Sequence, residues 1–436
     1  MRLLFLLTAA VVTTSAFSYG ANWPEWRGPD EQGHAEGTGY PQTWSEKENV
    51  AWKTEIPGRG YSSPVIWGDQ VWLTTAIEVA ATPEKVKERL KADTGDQPHS
   101  VLEEVKLHAL GLDRATGKLL HDIEVLSIHD PQWVHQQNSY ATPTPVIEEG
   151  RLYCHFGTFG SACVDTVKGK LLWTNTDLHL NHEHGPAGSP VLWKNLVIFH
   201  CDGSDVQYVA ALDKATGKLA WKTDRSGKLD NKPLERCTYS TPLLVEGKSG
   251  AQLISTGPDW LYGYDPSSGK ELWKLPYETQ GFAMSSRAVA GDGRLFFSTG
   301  FYKPILKTFK FDGSAAPVPD WDYPKGVPMV SSPIFANDLI FFIGDSGILT
   351  CLNAAKGKQI FRERLEGRFL ASPVLADGRL YVPSVEGKTY VVTADGDFKL
   401  LATNALEGQQ FASPAAVDGA IFIRTDKALY RIGKGK

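Results

Sequence analysis

Cysteine is scarce in this chain, and its five copies form no recognisable metal or haem site. No two cysteines are adjacent, and none stands in a C-x-x-C or C-x-x-C-H pattern. Cys154 and Cys163 flank residues 157–160 symmetrically, which predicts that they face each other across a hairpin. A disulfide and a pair of buried free thiols are both compatible with that spacing.

A strong charge of one sign is also missing. Lys and Arg number 45 against 50 Asp and Glu, a net charge of −5, which argues against a general nucleic-acid surface. No serine stands in the G-x-S-x-G pattern of a nucleophile elbow, so a hydrolase triad of that type has no support. We therefore expect neither a nucleic-acid partner nor a serine hydrolase.

Long apolar runs are absent after the first residues. A short basic start, an apolar segment over residues 3–12 and a small, polar stretch predict a signal peptide over residues 1–20. It contains no cysteine for a lipid anchor, and no other stretch is long enough to span a membrane. The sequence thus predicts a periplasmic or secreted protein, not a lipoprotein, with an extended lead-in over residues 21–48.

Glycine, proline and tryptophan are abundant, at 42, 26 and 13 copies. They recur in a motif with an Asp, a Gly four residues later and a Trp four after that. Full copies are Asp165…Gly169…Trp173, Asp213…Gly217…Trp221 and Asp265…Gly269…Trp273, and Trp52 ends a partial one. Asp and Gly favour a tight turn, and Trp follows on the next strand, where it can cover a neighbouring sheet. We predict that Trp52, Trp173, Trp221 and Trp273 are largely buried between sheets.

A second motif, Ser or Thr usually followed by Pro, opens eight apolar runs. Most are separated by roughly 40 to 52 residues, the period of a four-stranded propeller blade. The last repeat, from Ser413, ends one strand short, and the strand near Val50 has no turn before it. The sequence therefore predicts an all-β fold over residues 49–436: an eight-bladed β-propeller of four-stranded antiparallel blades, closed by the N-terminal strand.

The first repeat carries an insertion at about residues 80–104. Thr82 suits an N-cap, Pro83 suits the first helical position, and Glu84 adds an acid in the first turn. We predict a short surface helix there.

The repeats resemble those of the pyrroloquinoline-quinone (PQQ) type of β-propeller. This family includes quinoprotein dehydrogenases and the propeller lipoprotein of bacterial outer-membrane assembly. The Asp-Gly-Trp pattern is similar to its tryptophan-docking motif, and the match runs from Trp52 to Ile432. The lead-in from Trp23 to Pro29 also resembles that of exported bacterial propellers of this type.

The resemblance implies two alternative functions. Dehydrogenases of this family hold PQQ and calcium in the central channel, with a stacking Trp and usually a vicinal cysteine pair. This chain lacks such a pair and is shorter than those enzymes. The sequence therefore favours a monomeric, non-catalytic scaffold that binds a protein partner or small ligand. The alternative is a PQQ- or metal-dependent oxidoreductase of the quinoprotein dehydrogenase type.

Polar residues concentrate in three consecutive connections that lead from an outermost strand to the next innermost strand. Five of the eleven His lie in the first two. We predict a histidine-rich site at the mouth of the channel, since loops at one end of a rigid scaffold commonly carry function. The candidate ligand-binding residues are His135, Asn138, Tyr140, Arg236 and Arg287. His135, His182 and His184 could together hold a divalent transition metal.

Overall fold

The computed structural model describes residues 22–92, 99–229, 232–277 and 283–433. The predicted signal peptide lies outside this part of the chain. Eight four-stranded antiparallel sheets, the blades, are arranged in chain order around a central channel, as predicted. In the described ranges no helix is both long and apolar enough to cross a membrane.

Each blade runs from a three- to five-residue strand at the channel to an outer strand at the rim. The strands of blades 1 to 4 are Val65–Trp67, Gln70–Ala80, Leu102–Asp113, Leu119–His129; Val146–Glu148, Arg151–His155, Ser161–Asp165, Lys170–Asn175; Val191–Trp193, Leu196–Asp202, Gln207–Asp213, Leu219–Asp224; and Leu243–Gly247, Gly250–Thr256, Trp260–Tyr264, Glu271–Pro276. Those of blades 5 to 8 are Val289–Gly291, Arg294–Ser298, Leu306–Lys310, Val318–Tyr323; Ile334–Ala336, Leu339–Ile343, Ile348–Asn353, Gln359–Arg364; Val374–Ala376, Arg379–Pro383, Lys388–Thr393, Leu400–Ala405; and Ala415–Val417, Ala420–Arg424, Ala428–Ile432, Val50–Glu55.

The N-terminal strand closes the ring. Val50–Glu55 is the outermost strand of blade 8 and pairs antiparallel with Ala428–Ile432, with Val50 opposite Ile432 and Glu55 opposite Ala428. The pairing satisfies the backbone of a strand that would otherwise form an open sheet edge. The predicted closure and the count of eight blades are confirmed.

The insertion in blade 1 contains the predicted helix. It spans Pro83–Arg89, and the Thr82 side chain accepts a hydrogen bond from the Lys85 amide. Short 3-10 turns occur at Leu90–Ala92, Gly157–Phe159 and Pro233–Arg236. A two-stranded ribbon, His99–Ser100 with Val134–His135, joins the insertion to the connection between blades 1 and 2.

Where the Asp-Gly-Trp motif is complete, it links neighbouring blades. In blade 3, Asp213 Oδ1 accepts hydrogen bonds from the Thr216 amide at 2.9 Å and its hydroxyl at 2.8 Å. Gly217 closes the turn at φ 70°. The Trp173 ring of blade 2 lies over Gly217, so that an added Cβ would meet it at 2.5 Å. Glycine is thus required both by the backbone angle and by the neighbouring ring.

The same contact recurs around much of the ring. Trp52 lies over Gly117, Trp221 over Gly269 and Trp321 over Gly357. Of the four predicted docking residues, Trp52 is buried, and Trp173, Trp221 and Trp273 are partly buried. One face of each indole packs on the next blade while the other side remains at the rim.

Contrary to the prediction, Cys154 and Cys163 do not face each other across the hairpin. In the hairpin of blade 2, Cys154 is opposite Ala162, and Cys163 is opposite Tyr153. This one-residue offset directs the two side chains to opposite faces of the sheet. Cys154 belongs to the apolar cluster shared with blade 1, and Cys163 to the cluster shared with blade 3. All five cysteines are buried free thiols.

Candidate functional site

The lead-in closes one end of the channel. Its backbone pairs with the innermost strands of blade 1 through Trp23 and Ile66, of blade 2 through Pro24 and Ile147, and of blade 7 through His34 and Leu375. It therefore crosses the channel from one side to the other. We call the end with the Asp-Gly turns the bottom face and the opposite end the top face.

A buried group of charges holds the lead-in in place. Arg287 of blade 5 is fully buried and donates hydrogen bonds to the carbonyls of Trp26 at 2.9 Å and Pro242 at 2.9 Å. Its guanidinium forms an ion pair with Glu31 and lies 3.5 Å from Glu25 Oε2. Burial, with the nearby Glu31 charge, raises the pKa of Glu25 well above its usual range. Arg287 therefore binds the lead-in at the floor of the channel and does not lie at the channel mouth, where it was predicted.

A second buried arginine, Arg27, lies in the lead-in itself. Arg27 donates to the backbone carbonyls of Ser332 and Pro333 in blade 6 and to that of Gln32. Burial, followed by repulsion from Arg287, lowers the pKa of Arg27 to about 9.

Above the lead-in, the Ser/Thr-Pro motifs form a ring of hydroxyl groups. The residues at the ring position are Ser63, Thr144, Ser189, Thr241, Arg287, Ser332, Ser372 and Ser413. Six of these positions share one contact: the backbone amide of the ring residue donates to the hydroxyl of the ring residue in the next blade, at 2.9–3.0 Å. The repeated motif therefore joins the blades at the channel, as the Trp-Gly contact does nearer the rim.

The space between the ring and the top face is a blind cavity of about 580 Å³. Trp26 of the lead-in forms its floor, and its indole N–H donates to Ser413 Oγ at 3.2 Å. The lining consists of Trp26, Tyr61, Ser63, His135, Gln137, Asn138, Thr142, Thr144, His184, Ala187, Ser189, Tyr239, Thr241, Ala283, Ser285, Phe301, Tyr302, Val330, Leu370, Ser372, Phe411 and Ser413. Its volume is in the range of small-molecule pockets in proteins.

The described part of this lining contains no Asp, Glu, Lys or Arg. Its two histidines are neutral near pH 7, because burial lowers the pKa of His135 and, together with the His135 charge, lowers that of His184 to about 4. Tyr239 donates to the His182 carbonyl at 2.8 Å, so that His184 Nδ1 is the donor in its 2.9 Å contact with the Tyr239 hydroxyl. The described lining is therefore uncharged, and it combines hydroxyl, amide and imidazole groups with a larger apolar and aromatic surface.

The predicted site residues divide into two groups. His135, Asn138 and His184 line the cavity, and the rings of the two histidines are 5.8 Å apart. Tyr140 is fully buried and donates to the Gln132 carbonyl at 2.9 Å, outside the cavity lining. Arg236 ends a 3-10 turn and is also outside the lining.

His182 is separated from the other two predicted metal ligands. Its ring is 2% exposed, packs edge-on against Phe159 at 5.2 Å and faces a separate, much smaller cavity. Both ring nitrogens are buried, and neither has a hydrogen-bonding partner in the part of the chain that the structure describes. Burial lowers the pKa of His182 to about 3. Although His182 and His184 are only two residues apart, they face different cavities, because the backbone turns tightly between them and the His184 amide donates to the His182 carbonyl at 2.5 Å.

Within the described residues, no three His, Cys, Asp or Glu side chains come together as metal ligands. The residues that sequence reasoning missed are Trp26 on the floor and the ring hydroxyls. Both lay in recognised motifs, the lead-in and the Ser/Thr-Pro openings, but nothing in the sequence indicated that the lead-in turns back into the channel.

Comparisons with known proteins agree with this architecture. The profile of the family described as "Outer membrane protein assembly factor BamB" matches residues 43–223 and 259–411. No curated protein matches the chain.

Three solved structures share the fold at low sequence identity. BamB from Moraxella catarrhalis has a TM-score of 0.54 at 10% identity, covering 83% of this chain and 99% of that one. A quinohemoprotein alcohol dehydrogenase from Comamonas testosteroni reaches 0.59 at 11% identity, covering 97% and 82%. A europium-containing methanol dehydrogenase reaches 0.52 at 12% identity, covering 94% and 91%. These likenesses concern the fold alone.

Proposed function

The chain belongs to the family described as outer membrane protein assembly factor BamB, and from that premise we propose that it is an exported, non-catalytic propeller that binds a small ligand in its blind top-face cavity. The observation that carries the proposal is the cavity itself. A floor supplied by a separate segment turns an open channel into a blind pocket, whose largely apolar wall carries a few hydroxyl, amide and imidazole groups. Concave pockets with a few convergent polar groups are the usual binding sites of small molecules.

A binding role also agrees with how the lining residues are held. Asn138 Nδ2 donates to the His184 carbonyl at 2.9 Å and to the Pro186 carbonyl at 3.2 Å. Its Oδ1 accepts from the Thr142 hydroxyl at 2.6 Å. These bonds fix the top-face connections of blades 1–2 and 2–3 against each other, so the wall is organised before a ligand enters.

The site can be tested by blocking the cavity. Ala187→Trp places a large ring in the lining, and Val167→Trp places the same ring on an exposed bottom-face turn, where Val167 is 75% exposed. A panel of neutral, anionic and cationic metabolites would be screened by ligand-observed NMR against both variants and the unmodified protein.

We expect at least one compound to bind the unmodified protein and Val167→Trp with equal affinity and to lose binding to Ala187→Trp. Binding that is equally strong in Ala187→Trp would locate the ligand elsewhere and contradict the proposal. The absence of any compound that distinguishes the two variants would contradict it as well. A partner protein whose binding alone responds to Ala187→Trp would replace the small ligand with a protein docking at this mouth.

The second candidate is a PQQ-dependent oxidoreductase, which the fold of the alcohol dehydrogenase brings into consideration. The described lining does not suit this cofactor. PQQ carries three carboxylates, and the lining offers no Lys or Arg to neutralise them. Calcium prefers oxygen ligands that include carboxylates, and the lining offers no Asp or Glu.

Absorbance titration with PQQ and calcium separates the two candidates. We expect no saturable, calcium-dependent binding; binding that Ala187→Trp abolishes would favour the oxidoreductase. The predicted transition-metal site has its own test, elemental analysis of untagged protein beside a His182→Ala/His184→Ala variant. Stoichiometric zinc, copper or nickel that the double variant loses would establish a metal role.

A further inference from the structure

Five hydroxyl groups on the cavity wall keep a hydrogen atom to donate. The hydroxyls of Thr144, Ser189, Thr241, Ser372 and Ser413 each accept a hydrogen bond from a backbone amide of the preceding blade. Among the described residues, none of the five has an acceptor for its own O–H. A hydroxyl that accepts a bond still has its own hydrogen to donate, so the wall offers a circle of donors to oxygen atoms of a ligand.

The floor and the charge restrict the ligand further. Trp26 closes the cavity from below, and its indole is tied to the wall through Ser413. An aromatic face is a suitable platform for an apolar ring surface. Burying an ionised group in an enclosed site without a countercharge is costly, and the described lining supplies none. Anionic and cationic ligands are therefore disfavoured relative to neutral ones.

We propose that the cavity binds an uncharged pyranose sugar, either free or as the end of a glycan. A pyranose has oxygen atoms around its edge to meet the circle of donors, and C–H groups on its face to lie on Trp26. The proposal rests on the proposed function, since it names the class of ligand for the same cavity.

The ring of hydroxyls provides a matched pair of variants. Ser332 and Ser372 occupy equivalent positions, and each accepts a backbone amide at 2.9 Å, from Arg287 and Ser332 respectively. Only Ser372 lines the cavity. Ser372→Ala and Ser332→Ala therefore remove the same structural bond, while only the first removes a donor available to the ligand.

The experiment is calorimetric titration with methyl glycosides of neutral hexoses, their uronic acids and their hexosamines. We expect a neutral glycoside to bind at least roughly tenfold more tightly than its uronic acid or amine analogue. Ser372→Ala should weaken it about five- to tenfold, and Ser332→Ala should leave it unchanged. Trisaccharides of the same sugar distinguish the sources: tighter binding than the monosaccharide indicates a glycan end, and equal or weaker binding indicates a free sugar.

Three results would overturn the sugar assignment. One is equal or tighter binding of a charged analogue, and another is an equal effect of Ser372→Ala and Ser332→Ala. The third is a panel in which no neutral sugar binds while a ligand of another class does and is lost in Ala187→Trp; the proposed function would then stand without the sugar. If Ala187→Trp abolishes no interaction at all, the proposed function fails together with its ligand class.

Discussion

Removing Arg287 should release the floor of the cavity. Arg287→Met keeps an unbranched side chain but leaves the Glu31 carboxylate buried without its ion partner. It also removes the donors to the Trp26 and Pro242 carbonyls. Breaking a buried ion pair by removing one partner costs about 3–5 kcal/mol, because the remaining charge cannot be solvated. We therefore expect Arg287→Met to lower the free energy of unfolding by about that amount at pH 7.

Two measurements would follow this loss. Urea denaturation monitored by tryptophan fluorescence reports the free energy of unfolding. Trypsin cleavage after Arg27 reports local opening of the lead-in, because Arg27 is 1% exposed and protected in the intact floor. We expect Arg287→Met to accelerate this cleavage strongly.

We also predict that the effects of substituting Arg287 and Glu31 on stability are coupled. Glu31→Gln removes the charge that Arg287 compensates, so the double variant should lose less stability than the sum of the two single losses. Lys248→Met is the control, since it breaks an exposed pair with Asp312 and should have little effect on stability, because both charges stay solvated. A loss for Arg287→Met no larger than this control, with unchanged cleavage at Arg27, would refute the role of Arg287 in holding the floor.

Three further predictions concern the contacts between blades and the buried His182. Gly378→Ala should lower the free energy of unfolding by about 1–2 kcal/mol, because its φ of 70° is strained for alanine. Gly217→Ala should cost more, because Gly217 has the same φ but its added Cβ would also meet the Trp173 ring. Equal losses in urea titration would contradict close packing of Trp173 on Gly217. Trp173→Ala should cost less than the 3–5 kcal/mol typical of fully buried large aromatics, because Trp173 is half-buried; a loss of that full size would contradict this. Between pH 6.5 and about 3 the unfolded chain binds a proton at His182 that the folded chain does not, so stability falls as the pH is lowered through that window. At pH 5 this amounts to about 2 kcal/mol, which His182→Leu should abolish; an unchanged pH dependence of the urea midpoint would show that His182 titrates normally.

The repeat allowed the fold to be predicted from sequence. Each docking Trp and turn Gly marks the same place in its blade, and the missing strand after Ile432 matched the unpaired strand at Val50. Local periodicity therefore determined both blade number and closure. Register inside a hairpin was not accessible in this way: the symmetric spacing of Cys154 and Cys163 concealed an offset of one residue.

The site was predicted only where residues next to the innermost strands converge, as with His135, Asn138 and His184. Arg287 stands where the other openings have Ser or Thr, but the sequence did not reveal what the arginine binds. An arginine in an apolar opening resembles a ligand-binding residue until its partners in the lead-in are known. Contacts between segments so distant in the chain leave no local pattern.

The closing strand has a consequence for how the protein is made. Val50–Glu55 precedes all the strands of blades 1 to 7 and its partner Ala428–Ile432 follows them, so blade 8 cannot be completed before those seven blades have been synthesised. Until then Val50–Glu55 has no partner strand, the condition under which β-proteins associate incorrectly. The floor is also assembled from distant segments, because Arg27 and Arg287 join the lead-in to blades 5 and 6 and Trp26 donates to Ser413 of blade 8. The last contact of the floor and the closure of the ring therefore both await the final blade.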